Sequence, residues 1–476
     1  MQNKKWGVGI LTAMVVGNMV GAGIFMLPST LAKTASPLAT ILTWLLTGFG
    51  VLTLAFVFGN LAIRRPDLTT GPQSHAYALF SNKKKGRIAG FSMVWGYWVA
   101  NWASNVAIIT SFAGYLTTFF PVMTSPDVLF TIGSFEVEVG KGITFLICSS
   151  LLWATHFLLV RGVHGAGKIT FIATATKIIG FALFIVVALF AFQTSTLGEW
   201  YTPVVNPNGE ALNLLGQVNQ AAILTLWAFI GIESAVLFSN RAKSQQAVKQ
   251  ATIFGLLITL VIYLAITLLT MGVVPADVLK TSDKPFVDAL NIILGTGGGQ
   301  VMALLGLTCL FGSILGWVLL ASEVPYQAAK LGFFPKFFAH ENEKGSPTRS
   351  LLITNFMSQL FIFSTLSGSI TEAYDFVIVV STLAYLIPYL VSPIFQLKLV
   401  FTGETYDTIR GSRTGDAILA VLAITYSVYA IISGSGDIKT FALGIGLFFV
   451  GFILYPLNEQ YERRKMRKVN EEQKIA

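Results

Sequence analysis

Glu233 stands in "LTLWAFIGIESAVLFSN", an apolar run long enough to cross a bilayer. An ionised acid at the bilayer centre costs about 2.5–3.5 kcal/mol even on a lenient insertion scale. A carboxylate kept there should face a cavity, meet a cation or carry a proton; the alternative is a protonated acid bonded to a neighbouring helix. Lys177, in "ATATKIIGFALF", is its basic counterpart. At 1.5 Å per residue it sits about 13 Å into its span, too deep to snorkel with ease. Its ammonium should point inward, either to pair with carbonyls where a coupling sodium would otherwise sit or to hydrogen-bond for structure alone.

Asn101 and Asn105, in "WGYWVANWASNVAIITSF", are one helical turn apart and share a face with Trp98 and Trp102. Amides at that depth line a polar path or hold helices together. Trp227 and Trp317 either enclose a ligand or pack. Two other patterns carry no chemistry. "GVHGAGKI", residues 162–169, has the G-x-x-x-x-G-K spacing of a phosphate loop. Ile169 replaces the hydroxyl that would hold Mg²⁺, and the segment joins two apolar spans rather than a strand and a helix. His75, His156, His164 and His340 are scattered without ligand spacing, so no metal and no cofactor are expected. Cys148 and Cys309 both fall in apolar runs and imply no disulfide framework. With no nucleophile–base pair either, an enzyme is not expected.

The scaffold for these residues is a membrane. The 476 residues are 54% hydrophobic and 12% charged, against about 25% charged in a soluble domain. Runs of twenty or more apolar residues recur from end to end, which predicts an all-α polytopic protein in contact with membrane lipid. The net charge of +9 is spread over many short loops, so it reads as topology and not as nucleic-acid binding. The first apolar stretch is too long for a signal-peptide core and has no clear cleavage site, so it is expected to remain in the mature protein. Twelve transmembrane helices are expected, near residues 6–34, 37–63, 88–119, 142–160, 168–193, 217–239, 250–273, 300–329, 350–366, 372–398, 416–433 and 439–456. With both termini inside, 26 of the 32 Lys and Arg fall in cytoplasmic loops and tails, and five lie at or beyond outer ends. The outer segment 194–216 should carry a short surface helix, and the charged tail 457–476 should be a solvated helix or disordered.

Within the first span, "GNMVGAGIFMLPSTLA" places Gly21 and Gly23 around Ala22, with Pro28 following. Glycine costs a helix interior about 1 kcal/mol and proline about 3. Span six carries Gly231 at a matching place, just before Glu233 and Ser234. Spans one and six are five apart and so run in opposite directions. Interrupted helices at matching positions of two oppositely oriented halves signal inverted repeats with a substrate site between them. Gly17-x-x-x-Gly21 also suits a helix-packing face; the pairing with span six favours broken helices.

These segments together resemble the amino acid–polyamine–organocation superfamily, and within it the basic amino acid/polyamine antiporters, especially the arginine/ornithine and arginine/agmatine exchangers. The resemblance covers nearly the whole chain. "GNMVGAGIFMLP" is similar to the family's unwound first helix, "PDLTTGPQSHAYALF" to its amphipathic loop after span two, and "LWAFIGIESA" and "GSILGWVLLASEVPYQAAKLGFFPKFF" to spans six and eight. It implies a LeuT-like 5+5 inverted-repeat core over residues 1–398, two further helices over 399–456, and a cytoplasmic tail over 457–476. It also implies roles. Gly21, Ala22 and Gly23 would meet the substrate carboxylate, and Asn105 its cationic end. Trp227 would cover the site from outside, and Trp317 would form a middle gate with Ser381 close by. Tyr97, Glu233 and Tyr389 would form an inner gate. Lys177 resembles the lysine of sodium-independent relatives. Arginine/agmatine exchangers usually carry Ser at the place of Ala22, and a small residue or Cys at that of Asn101, so Asn101 adds an amide near the side-chain pocket.

The resulting expectation is a secondary-active exchanger in the cell membrane, with small-molecule amino acid and amine substrates. Arginine for ornithine is the first choice. Histidine for histamine, lysine or ornithine for its diamine, and proton-coupled symport remain open, as does a homodimer.

Overall fold

The computed structural model describes residues 5–455 apart from 69–70, 133–134, 163, 207–208, 238, 240–241, 410 and 454. The charged tail, 457–476, lies outside the described residues.

The first apolar stretch is not one helix. Helix α1 spans Val8–Met19 and a 3-10 turn covers Ala22–Phe25; α2 then spans Leu27–Thr34. Gly21 between them is extended, and Pro28 falls in the first turn of α2, where its missing N–H removes no helical bond. The weak helix formers are therefore at the break and at a helix start.

The chain continues through α3 (Pro37–Arg64), α4 (Pro72–Leu79) and α5 (Lys83–Leu116). Asn82 caps α5 by accepting from the N–H groups of Lys84 and Lys85. A short ribbon of β1 (Val128–Ile132) and β2 (Phe135–Glu138) precedes α6 (Val139–Val160) and α7 (His164–Ala191). The segment expected to hold a surface helix contains one turn, α8 (Thr194–Leu197), and a second ribbon of β3 (Val204–Val205) and β4 (Ala211–Leu212). The ribbons were not foreseen, because alternation over two to five residues in a loop is too short a signal.

Helix α9 (Leu214–Ala228) ends in a turn, and a single helical turn, α10 (Ser234–Leu237), resumes after Glu233. Then come α11 (Gln245–Val273), α12 (Ala276–Thr281), α13 (Pro285–Leu294) and α14 (Thr296–Lys330). The last described helices are α15 (Thr348–Ile362), α16 (Ser364–Ser367), α17 (Ile370–Thr402), α18 (Arg413–Ser433) and an apolar helix over Ile438–Ile453. Ser369 and Glu372 form a reciprocal capping box at the start of α17.

Among the described residues, seven helices are long and apolar enough to cross a membrane. The protein is thus a multi-pass membrane protein. The other expected spans are the two interrupted stretches, the more polar α5, and shorter apolar helices over Ala175–Ala191 and Ile438–Ile453. Phe190 is 90% exposed, and Ile178, Val261 and Ile453 also face outward, as a lipid-facing surface requires.

Two packed groups frame the centre. Helix α11 lies against α1 and α3, while α5 lies against α14 and α17. The backbone N–H of Lys243 donates to the carbonyl of Trp6 at 2.9 Å, joining the start of α1 to the segment ahead of α11. Helix α4 docks on α17: the His75 ring is 2.9 Å from Ser392 Oγ, stacks on Phe395, and is pushed by burial down to about 3. Lys398 donates to the carbonyls of Ala78 and Leu79 at the end of α4.

Candidate functional site

The two helix breaks meet. Gly231 has φ +106°, a conformation that side-chain-bearing residues rarely adopt, and a β-carbon there would lie 3.3 Å from the backbone of Asn18. At Gly23 a β-carbon would come within 2.5 Å of the Trp227 ring, so the indole lies directly on the backbone of the first break. Trp317, from α14, approaches Gly21 with its Nε1. Gly21, Gly23, Trp227 and Trp317 thus line one cavity, together with Asn18, Met19, Ser104, Ile108, Ala228 and Ile230. Its room of about 30 Å³ holds about two waters and is too small for an amino acid, so the site is closed down in this conformation.

The breaks also set its polarity. The N–H groups of Ala22 and Gly23 open the 3-10 turn and have no acceptor within it, which favours an anionic group. Met19 and Ala228, the last residues of α1 and α9, line the same cavity, and the negative ends of these two helices favour a cationic group. A zwitterion can satisfy both.

On one side of the cavity, Glu233 is 1% exposed and sits among hydroxyls. Tyr97 Oη donates to one carboxylate oxygen at 2.5 Å and Tyr389 Oη to the other at 2.6 Å, while the Gly231 N–H donates at 3.2 Å. Among the described residues, no Lys or Arg pairs with Glu233. Tyr385 packs edge-on against Tyr97, with ring centroids 5.1 Å apart. On the other side, Trp227 meets Tyr374 edge-on at 5.8 Å, and the Tyr374 hydroxyl donates to the Gly23 carbonyl at 2.8 Å. Beyond it, Asp375 accepts from Thr30 Oγ1 at 2.6 Å and faces Lys33 at 3.6 Å.

The asparagines are buried on α5 but do not line the cavity. Asn101 donates to the Tyr97 carbonyl at 2.6 Å, and its own oxygen has no partner. Neither amide atom of Asn105 has a partner. Both lie on the α5 face that carries Tyr97, Ser104 and Ile108. Ser381 sits behind the cavity. Its hydroxyl is 2.5 Å from Ser104 Oγ, which accepts from Trp227 Nε1 at 3.1 Å. Lys177 stands apart and donates to the Gly17 carbonyl of α1 at 3.2 Å.

Four participants escaped the sequence reading. Ser104 lay inside a segment already singled out, but a serine in a helix carries no distinctive signal. Tyr374 and Tyr385 were masked by the abundance of aromatic residues. Asp375 did carry a signal, a carboxylate one turn and a half into an apolar helix.

The chain is similar to known proteins along nearly its whole length. The family model described as Amino acid permease matches residues 10–456. A Bacillus subtilis protein described as "Putative arginine/ornithine antiporter" is 58% identical over 98% of this chain and 99% of its own length. The "Arginine/ornithine antiporter" of Pseudomonas aeruginosa is 34% identical over 95% of this chain and 90% of its own length. "Arginine/ornithine antiporter ArcD1" of Lactococcus lactis is 30% identical, covering 98% of this chain and 86% of itself.

Proposed function

This chain belongs to the amino acid permease family, and from that premise we propose that it exchanges arginine for ornithine across the cell membrane. The observation that carries the reading is the meeting of two broken helices at one cavity between two tryptophans. The relatives' names supply the pair of substrates.

The working architecture is twelve spans with both termini in the cytoplasm. Spans one to five and six to ten, within residues 1–398, form inverted repeats; 399–456 supplies spans eleven and twelve, and 457–476 the tail. Spans one, two, six and seven rock against the rest. At the first break, Gly21, Ala22 and Gly23 meet the α-carboxylate, with the N–H groups of Ala22 and Gly23 as its donors, and the Ala228 carbonyl, beside the end of α1 at Met19, faces the α-ammonium. Trp227 and Trp317 enclose the side chain. Asn105, with an unfilled amide on the same face of α5 as the cavity, takes the cationic end, and Asn101 extends that polar stripe toward Glu233. Ser381 holds Ser104 and through it Trp227. Tyr97, Glu233 and Tyr389 close the inner side. Lys177 ties α1 from the place of a coupling sodium.

Counterflow in proteoliposomes tests the reading. Vesicles loaded with ornithine should accumulate labelled arginine, and empty vesicles should not. Each net charge moved is worth about 2.3 kcal/mol per 100 mV. Exchange of one cation for another should therefore ignore an imposed voltage, whereas neutral histidine for charged histamine would respond to it. Uptake without internal substrate would point to symport instead. For orientation, Lys344→Cys should resist an impermeant thiol reagent in intact cells and label after permeabilisation; Cys148 and Cys309 are buried and give little background.

A further inference from the structure

Tyr263 lies on α11 and is fully buried. Its hydroxyl donates toward two carbonyls at once, Met19 at 2.5 Å and Ala228 at 2.7 Å. These are the last residues of α1 and α9, the two helices that break at the cavity. Its ring packs on Trp44 of α3 at 5.1 Å and on Phe229 of the second break at 5.5 Å. One side chain therefore touches α1, α3, the end of α9 and its own helix. Resting on the proposed exchange cycle, we infer that Tyr263 is a positioning residue: its single hydroxyl proton couples the two broken helices so that spans one, two, six and seven turn as one body.

The physical need is specific. A helix end leaves carbonyls without intrahelical donors, and at membrane depth each must find a partner. The Met19 carbonyl has one other donor, the Gly21 N–H two residues on, at 2.6 Å. No other donor to the Ala228 carbonyl is recorded among the described residues. A carbonyl oxygen has two lone pairs. Tyr263 itself stays outside the ring of residues lining the cavity. At Met19 the Gly21 N–H and the Tyr263 hydroxyl together fill both lone pairs, and at Ala228 the hydroxyl takes one and leaves one free. Without it, no hydrogen bond among the described residues joins α1 to the end of α9, and each is free to lag the other during rocking.

Tyr263→Phe removes only the hydroxyl and keeps the ring on Trp44 and Phe229. The maximal rate of arginine/ornithine exchange, per correctly folded molecule, should fall about tenfold or more, the scale expected when a buried acceptor loses its donor. The KM for arginine should stay within about threefold, since Tyr263 does not line the cavity. Trp44→Phe, which disturbs packing and leaves the hydroxyl in place, should lower the melting temperature and leave exchange near wild type. Incorporating 4-aminophenylalanine at position 263 supplies two N–H donors at the same point and should restore the rate. If Tyr263→Phe melts lower but exchanges at the wild-type rate, the residue is structural and the inference fails. A raised KM at unchanged maximal rate overturns it as well, because Tyr263 would then act on binding. Should the Phe variant not fold, the amino variant decides: exchange near wild type supports the coupling, and lost exchange in a folded protein refutes it. Wild-type protein that fails to exchange arginine for ornithine overturns the proposed function itself, a different result from a wild-type rate in Tyr263→Phe.

Discussion

Glu233 and Asp375 are both carboxylates on interrupted or capped helices beside the cavity, yet they are satisfied in different ways. Glu233 is 1% exposed and takes its hydrogen bonds from two phenols and a backbone N–H, with no cation. Asp375 is half-buried and has Thr30 and Lys33 as partners, the lysine at 3.6 Å. A carboxylate held only by neutral donors is hydrogen-bonded but its charge is not compensated, so it keeps its appetite for a cation. A carboxylate already paired and partly wet has less left to offer. The asymmetry leaves one carboxylate open to the substrate's charge and one already paired.

The sharpest way to break this contrast is at Glu233. Glu233→Gln replaces a carboxylate that accepts from both Tyr97 and Tyr389 by an amide with one acceptor oxygen, so one phenol loses its partner. A hydrogen bond to a charged group is worth about 1.5–3 kcal/mol, so the exchange rate should fall about ten- to hundredfold. Arginine affinity by calorimetry should change little, because Glu233 does not line the cavity. A loss of about 2–5 kcal/mol in binding would instead make Glu233 the direct partner of the guanidinium. A variant matching wild type in both rate and affinity would make it structural.

Next in size is Lys177, among the described residues the one buried cation hydrogen-bonded to α1. Its ammonium donates to the Gly17 carbonyl at 3.2 Å, one turn before the break. Lys177→Ala should slow exchange about tenfold and weaken arginine binding much less, since the lysine holds α1 and is not among the residues that line the cavity. In the wild type, replacing sodium by choline should leave the rate unchanged. A strict sodium requirement would remove the surrogate role and leave Lys177 as a structural donor.

Trp317 tests the middle of the path between the two carboxylates. Cation–π attraction contributes about 0.5–2 kcal/mol per ring, so Trp317→Leu should weaken arginine binding by about two- to thirtyfold, and Trp317→Phe should retain part of it. Equal affinity in all three proteins would return the ring to ordinary packing.

The fold was legible in the sequence wherever a segment was long and apolar, and the breaks were legible because Gly21, Gly23 and Gly231 sit where a continuous helix would not place them. Glu233 and Lys177 stood out for a related reason: a charge in an apolar run is costly enough to demand an explanation. What stayed hidden was pairing across the fold. Nothing local to "ITSFAGYL" or "ITLVIYLAIT" distinguishes Tyr115, a packed ring with one bond to the Phe25 carbonyl, from Tyr263, whose hydroxyl reaches two helix ends. Ser104 was likewise invisible until Trp227 and Ser381 arrived from other helices. The small ribbons β1–β2 and β3–β4 depend on loop geometry too short to leave a periodic trace.

The smallest effect is expected at Asp375. Its side chain and that of Lys33 are 27% and 29% exposed, so their attraction is screened and worth about 0–1 kcal/mol. Asp375→Asn removes the charge and keeps an oxygen to accept from Thr30 Oγ1, so the hydrogen bond to α2 survives. Exchange should slow by less than about fivefold, which is the rate equivalent of about 1 kcal/mol. Lys33→Gln should reproduce that change, since both variants delete the same pair. Raising the ionic strength should slow the wild type toward the variant, because salt weakens an exposed pair far more than a buried one. A slowing as deep as that of Glu233→Gln would show that exchange depends on both carboxylates alike and would erase the asymmetry. A deep slowing in Asp375→Asn without one in Lys33→Gln would place the weight on the contact with Thr30, and exchange would then turn on a hydrogen bond between α2 and α17.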